Sequence, residues 1–277
     1  MDTRSMDTRP HVPSTDLTGR VALITGSSRG IGRGCAVCMA AAGADLVLNY
    51  FSYGDAARQA ADARDAEETA RLAGSFGRRA VIVPGNVASR SDVAAMVDAA
   101  VRHFGRLDIA VANAYRSIRK PFLELLPEDW EATLEVTLTG TFHTCQLAAQ
   151  QMARQGSGGK IIVISSVLAE RALSTSAPYN AAKAGLNQLA RTMANELARY
   201  RIHVNVIEPG WIDTPGERAY ATEAEIQEAG KRLPWGRLGR PEEIGAVAAF
   251  LASDAASYMS GSVVRVDGAY MAAIGEF

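Results

Sequence analysis

The sequence predicts one α/β domain carrying a doubly wound parallel sheet of about seven strands, and three observations predict it. Apolar runs alternate with longer amphipathic stretches along almost the whole chain. The runs are hydrophobic throughout rather than at every second residue, as strands covered by helices on both faces must be. No Pro/Ser-rich linker and no long internal repeat interrupts the series, which right-handed crossovers would assemble into a single sheet. Strands are predicted at 21–25, 45–49, 80–84, 107–112, 160–165, 203–208 and 262–267, and helices near 31–42, 56–73, 89–104, 127–154, 178–199 and 241–253.

Composition narrows the function classes. With 277 residues, 48% hydrophobic and 21% charged, the chain can bury a substantial core. A formal net charge of −1 supplies no drive toward nucleic acid or an anionic membrane. No apolar run approaches the roughly 20 residues that cross a bilayer, and the N-terminus, which repeats MDTR at 1–4 and 6–9, lacks the apolar centre of a secretory signal. Residues 1–16 read as a mobile tail and 17–277 as the domain. Three cysteines fit a reducing compartment, with the cytoplasm as default. Cys35 and Cys38 form a CxxC, but on a helix they share one face; they read as small buried residues rather than a redox or metal pair, and no metal is expected.

The first strand runs into Thr25-Gly26-Ser27-Ser28-Arg29-Gly30-Ile31-Gly32 and then a helix. Glycines allow a tight turn and close approach of a cofactor, and the helix N-terminus offers free N–H groups to a pyrophosphate, the arrangement of a Rossmann dinucleotide site. An NAD site places an acid at the end of the second strand, to bind the ribose hydroxyls. Here that strand runs into Asn49-Tyr50-Phe51-Ser52, and Asp45 stands at its opposite end. With no acid there and Arg29 in the glycine loop, NADP is favoured, NAD remaining open; Arg33 and Arg58 are further candidates for the 2′-phosphate. Arg29 as a solvated surface charge is the alternative. The connection 50–66 is long, and 211–240, with Trp211, Pro215, Tyr220, Pro234 and Trp235, is either a substrate lid or a packing excursion.

Ser166 ends the fifth strand, at the edge where α/β sheets place ligands. Tyr179 and Lys183 lie four apart on a predicted helix and share a face. A nearby ammonium favours the phenolate and lowers a tyrosine pKa from about 10 toward a usable range, and a serine hydroxyl can hold a carbonyl or alcohol oxygen while hydride moves. Singly, each residue is as easily a packing or solvated side chain.

Together these motifs resemble the short-chain dehydrogenase/reductase family, across about residues 17–270. TGSSRGIG looks like its cofactor loop, and Ser166 with Tyr179-Asn180-Ala181-Ala182-Lys183, thirteen residues on, looks like its catalytic Ser and YxxxK. Asn86-Val87 stands where the family contacts adenine, and Asn113-Ala114 lies in its fourth-strand motif. Pro209-Gly210-Trp211-Ile212-Asp213-Thr214 resembles its loop around nicotinamide. Residues 238–244 and Val266-Asp267-Gly268 resemble its C-terminal pattern. The nearest subgroups are the 3-ketoacyl-carrier-protein reductases and the bacterial glucose 1-dehydrogenases. The resemblance implies hydride transfer between NADP(H) and a ketone or secondary alcohol, with Tyr179 as general acid/base, Ser166 orienting the substrate oxygen and Lys183 binding nicotinamide ribose. It also implies a homotetramer or homodimer; the small residues Ala181, Ala182, Ala184 and Gly185 suit close helix approach there or, equally, internal packing.

The chain departs from the family pattern at three places. Tyr115 replaces the last glycine of the fourth-strand motif, and Thr137 replaces the asparagine that completes the catalytic group, so the proton relay is rewired, slowed or unnecessary. The 50–66 connection is longer than usual. Two further readings stay open: a nucleotide-binding sensor or structural subunit, and a dehydratase or epimerase with a tightly held cofactor. The expected substrate walls are 115–121, 168–175 and 211–235, where Arg116, Arg119 and Lys120 form either an anion subsite or a solvated face.

Overall fold

The computed structural model describes residues 12–273. Seven parallel strands form one sheet in the order β3-β2-β1-β4-β5-β6-β7. They are β1 (Val21–Ile24), β2 (Asp45–Tyr50), β3 (Ala80–Pro84), β4 (Ile109–Ala112), β5 (Gly159–Ile164), β6 (Ile202–Pro209) and β7 (Val263–Val266). The strand order reverses between β1 and β4, which opens a crevice beyond their carboxyl ends, the place where doubly wound sheets bind ligands. Side chains alternate across the sheet. Ala22, Ile24, Leu46, Leu48 and Ile162 join one core layer; Val21, Leu23, Val47, Ile161 and Val163 join the other.

The helices are α1 (Gly30–Ala41), α2 (Ala56–Gly74), α3 (Arg90–Phe104), α4 (Pro127–Leu134), α5 (Gly140–Gln155), α6 (Ala177–Leu197), α7 (Glu223–Lys231) and α8 (Pro241–Ala252). Their ends follow local chemistry. The Ser89 side chain caps α3, and Gly105, at φ 80°, closes it. Proline begins α4 and α8 and lies at the start of α6. The helix predicted at 127–154 is not continuous: Glu135–Thr139 forms a π turn between α4 and α5. The predicted fourth strand begins two residues late, and the Asp108 carboxylate before it accepts from the Val21 N–H at 2.9 Å and from Arg106. Helix α7 was not expected, although Thr222 and Glu225 form a capping box at its start.

Helices α1 and α8 touch backbone to backbone. A Cβ on Gly34 would stand 2.3 Å from the Pro241 carbonyl oxygen, and one on Gly245 would stand 2.2 Å from that of Gly34. Cys35 is fully buried beside this seam, and Cys38 directs its Sγ to the Glu242 carbonyl at 3.5 Å. Both thiols are free and are pushed up by burial; Cys35 is buried as the sequence suggests, whereas Cys38 is only partly so. Of the residues assigned to a tail, 1–11 lie outside the described range. Residues 12–16 are exposed, with the Ser14 carbonyl accepting from the Ala255 N–H at 3.1 Å. Among the described residues, no helix is long and apolar enough to cross a membrane.

Candidate active site

A cleft of about 610 Å³ opens at the carboxyl ends of β1, β4, β5 and β6. The residues the sequence assigns to the cofactor line it except Gly32 and the two further 2′-phosphate candidates, Arg33 and Arg58. Gly32 lies under the loop instead: a Cβ there would meet the Gly26 carbonyl oxygen at 2.1 Å. Gly26 takes φ +63°, a conformation other residues rarely adopt. Asn113 ties the loop to β4, its Nδ2 donating to the carbonyls of Thr25 (2.9 Å) and Gly26 (3.1 Å). Asn49 braces it from β2, with Oδ1 accepting from the Gly26 N–H and Nδ2 donating to the Gly85 carbonyl. The N-terminus of α1 has no side-chain cap and no acid in its first turn. Its N–H groups are therefore left for an external anion, which is the donor set a pyrophosphate requires.

Arg29 lines the cleft but is not a free cation. Its Nη1 donates to Asp62 Oδ1 at 2.6 Å and lies 3.6 Å from Asp65 Oδ2. Arg58 also reaches Asp62 (3.2 Å), and Arg33 bonds the Ser28 carbonyl and Asp65. The expectation of arginines open to a 2′-phosphate is thus corrected in part: the long connection into α2 delivers its own carboxylates to them.

The three candidate catalytic residues meet at the other end of the cleft. Ser166 is buried, and its Oγ accepts from the Leu168 N–H at 3.1 Å. Lys183 is 2% exposed and donates from Nζ to the Ile164 carbonyl at 2.7 Å, which aims it into the cleft beneath Tyr179. Its Nζ stands 5.4 Å from the Tyr179 ring centroid. Burial pulls the Lys183 ammonium down to about 7. Burial also pushes the Tyr179 phenol above its usual range, with a hydrogen bond from Ser166 opposing the rise. Desolvation therefore sets the direction at Tyr179, opposite to the lowering expected from sequence. Tyr115 packs edge-on against Tyr179, with centroids 5.8 Å apart.

Thr137 does not line the cleft. It is fully buried in the π turn, where its hydroxyl accepts from the Arg116 N–H at 3.0 Å and donates to the Arg116 carbonyl at 2.8 Å. One hydroxyl therefore clamps the backbone of the loop that follows β4.

The chain is similar in sequence and fold to known proteins. A family model described as enoyl-(acyl carrier protein) reductase matches residues 26–271. Glucose 1-dehydrogenase 2 of Bacillus subtilis is 34% identical over 91% of this chain and 95% of its own. The cis-4-hydroxycyclohexanecarboxylate dehydrogenase of Sinomonas cyclohexanicum is 38% identical over 91% of this chain and 97% of its own. The crystal structure of a gluconate 5-dehydrogenase from Burkholderia cenocepacia, in complex with NADP and tartrate, superimposes with a TM-score of 0.83 at 37% identity, covering 94% of this chain and 98% of that one. The chain belongs to the short-chain dehydrogenase/reductase family. It is an oxidoreductase of the hydride-transferring kind, with a nicotinamide cofactor.

Several cleft features of this short-chain dehydrogenase/reductase were not anticipated. Glu217, in the segment after β6, accepts from the Trp211 indole N–H at 2.8 Å. Tyr53, from the long connection, lies under the Arg116 guanidinium (4.9 Å to the ring centroid) and against Phe51. Tyr220 carries the Arg119 guanidinium 3.8 Å above its ring. The two arginine–tyrosine contacts join segments far apart in sequence, and no motif announces them.

Proposed function

We propose that the protein interconverts a ketone and a secondary alcohol with NADP(H), using Tyr179 as general acid/base. The carrying observation is the convergence of Ser166, Tyr179 and Lys183 in the cleft that begins at the uncapped α1 N-terminus. When bound, the nicotinamide supplies or takes the hydride at the substrate carbon. In the reducing direction, the Tyr179 hydroxyl gives its proton to the carbonyl oxygen. Burial keeps that phenol protonated and so poised to donate. Ser166 holds the same oxygen through its hydroxyl. Lys183, on the Ile164 carbonyl, is placed to bind ribose hydroxyls and to return a proton to Tyr179. Ala181 and Ala184 leave small side chains on the exposed face of α6, which suits a homotetramer or homodimer packed through helices, in the cytoplasm. The segment 211–240 serves as the substrate lid, and the domain spans 17–277.

NADP is favoured because Arg29 lines the cleft beside Tyr50 and β2 ends without an acid; the NADP complex of the Burkholderia enzyme points the same way. Arg29→Ala should weaken NADP(H) binding about tenfold or more and NAD(H) little, since a charge-assisted hydrogen bond contributes roughly 1.5–3 kcal/mol. Equal losses for the two cofactors, read by titration of protein fluorescence, would leave Arg29 a purely structural role.

The substrate reading adds an anionic group away from the reacting carbonyl. Arg119 lines the cleft, rests on Tyr220, and has no carboxylate partner among the described residues, whereas its neighbour Lys120 pairs with Asp129. Arg119→Gln should raise KM roughly fivefold to tenfold for 4-hydroxycyclohexanecarboxylate while leaving the corresponding amide unaffected. A parallel change for both compounds removes the anion subsite. The reading as a whole is tested by a panel of ketones, sugars and polyols, followed by NADPH absorbance and repeated with NADH. Cofactor binding with no turnover across the panel would favour a sensor or structural subunit.

A further inference from the structure

The connection after β2 and the first turns of α2 bring Ser52, Arg58 and Asp62 to the end of the cleft lined by Arg29, Tyr50 and Phe51. Asp62 is 2% exposed. Its Oδ1 accepts from Arg29 Nη1 at 2.6 Å, and its Oδ2 accepts from Ser52 Oγ at 2.6 Å and from Arg58 Nε at 3.2 Å. Burial pushes its carboxyl up, but Ser52, Arg29 and Arg58 together hold it below the usual carboxylate range, so it is ionised. Asp65 adds a second, more exposed carboxylate, 3.6 Å from the same Arg29 nitrogen and 3.3 Å from Arg33. Arg33 is otherwise spent on the Ser28 and Asp65 carbonyls and on Thr69.

We propose that Asp62 sets how far this protein discriminates NADP(H) from NAD(H), by cancelling part of the charge that Arg29 and Arg58 present to the cofactor's 2′ position. Neither Asp62 nor Arg58 lines the cleft, so Asp62 is a positioning residue that acts through Arg29, with Arg58 adding its charge from behind. The inference rests on the reading that a nicotinamide dinucleotide lies with its 2′ position at Arg29. A 2′-phosphate is an anion and feels every charge around it, whereas a 2′-hydroxyl is neutral and does not. The two arginines with Asp62 present one net positive charge; without the carboxylate they present two. The carboxylate therefore weakens NADP(H) specifically, and it does so from a helix rather than from the end of β2, where an acid would bond the ribose itself.

Asp62→Asn keeps the shape and an oxygen for Ser52 while removing the charge. Calorimetric titration of the full chain with NADP+ and with NAD+, without substrate, reads the effect. NADP+ should bind about tenfold tighter to the variant and NAD+ within twofold of wild type, with the gain shrinking as salt is raised. An NADP+/NAD+ ratio that is unchanged or lowered overturns the inference. Should Asp62→Asn not fold, Asp65→Asn carries the test: its side chain is 41% exposed, NADP+ should bind about threefold tighter, and an unchanged ratio overturns the inference equally. The underlying NADP reading fails separately. If wild type prefers NAD+ but the variant moves the ratio toward NADP+, the inference stands and only the preferred cofactor changes.

Discussion

Tyr179→Phe should lower turnover by at least a hundredfold and by up to about ten-thousandfold, the range general acid–base groups contribute, while cofactor affinity stays near that of wild type. The ring remains to pack against Tyr115 and over Lys183, so the cleft keeps its shape and loses only the proton that burial keeps on the phenol. Lys183 cannot take over the donation, because its Nζ is held on the Ile164 carbonyl at 2.7 Å, beneath the phenol. Steady-state turnover beside NADPH titration checks both halves. Near-normal turnover would remove Tyr179 from the chemistry.

Thr137→Val should cost about 2–4 kcal/mol, or roughly 5–12 °C in melting temperature for a chain of this size. Valine matches threonine in volume but offers neither the acceptor for the Arg116 N–H nor the donor for its carbonyl. Both backbone groups would then go unsatisfied beside a fully buried side chain. The loop they hold carries Tyr115, Ser117 and Arg119 into the cleft, so KM for substrate should rise with the loss of stability. Thr137→Asn is gentler, since an amide has both a donor and an acceptor, but its extra length must be accommodated in a π turn with no exposed surface at that position. An unchanged melting temperature for Thr137→Val would show that the clamp does not support the loop.

The architecture was legible because parallel strands buried on both faces leave long apolar runs, and all seven predicted strands occur in the sheet. The π turn was not, since its register shift leaves the spacing of apolar residues through 127–154 nearly intact. Helix α7 was missed although Thr222-x-x-Glu225 marks its start, because Pro215, Pro234 and the tryptophans around it read as irregular chain. In the cleft, Ser166, Tyr179 and Lys183 were found by spacing, and the glycine loop by its place after β1. The environment of those residues was not found: whether Arg29 is free or held by Asp62, and whether Lys183 or desolvation governs Tyr179, depends on partners ten to thirty residues away or on burial. Residue type and spacing name a group; only packing fixes its charge.

The backbone contact between α1 and α8 bears on how the chain is made. Cys38 and Glu242, which face each other across this seam, are separated by 204 positions. As the nascent chain leaves the ribosome, β1, the glycine loop and α1 emerge well before α8, the surface on which α1 rests. Contacts of such long range are slow to form and leave early segments exposed meanwhile. Helix α1, whose N-terminus faces the cofactor, thus gains its packing surface only once α8 has been made, and ribosome-bound intermediates lacking α8 should bind either cofactor weakly.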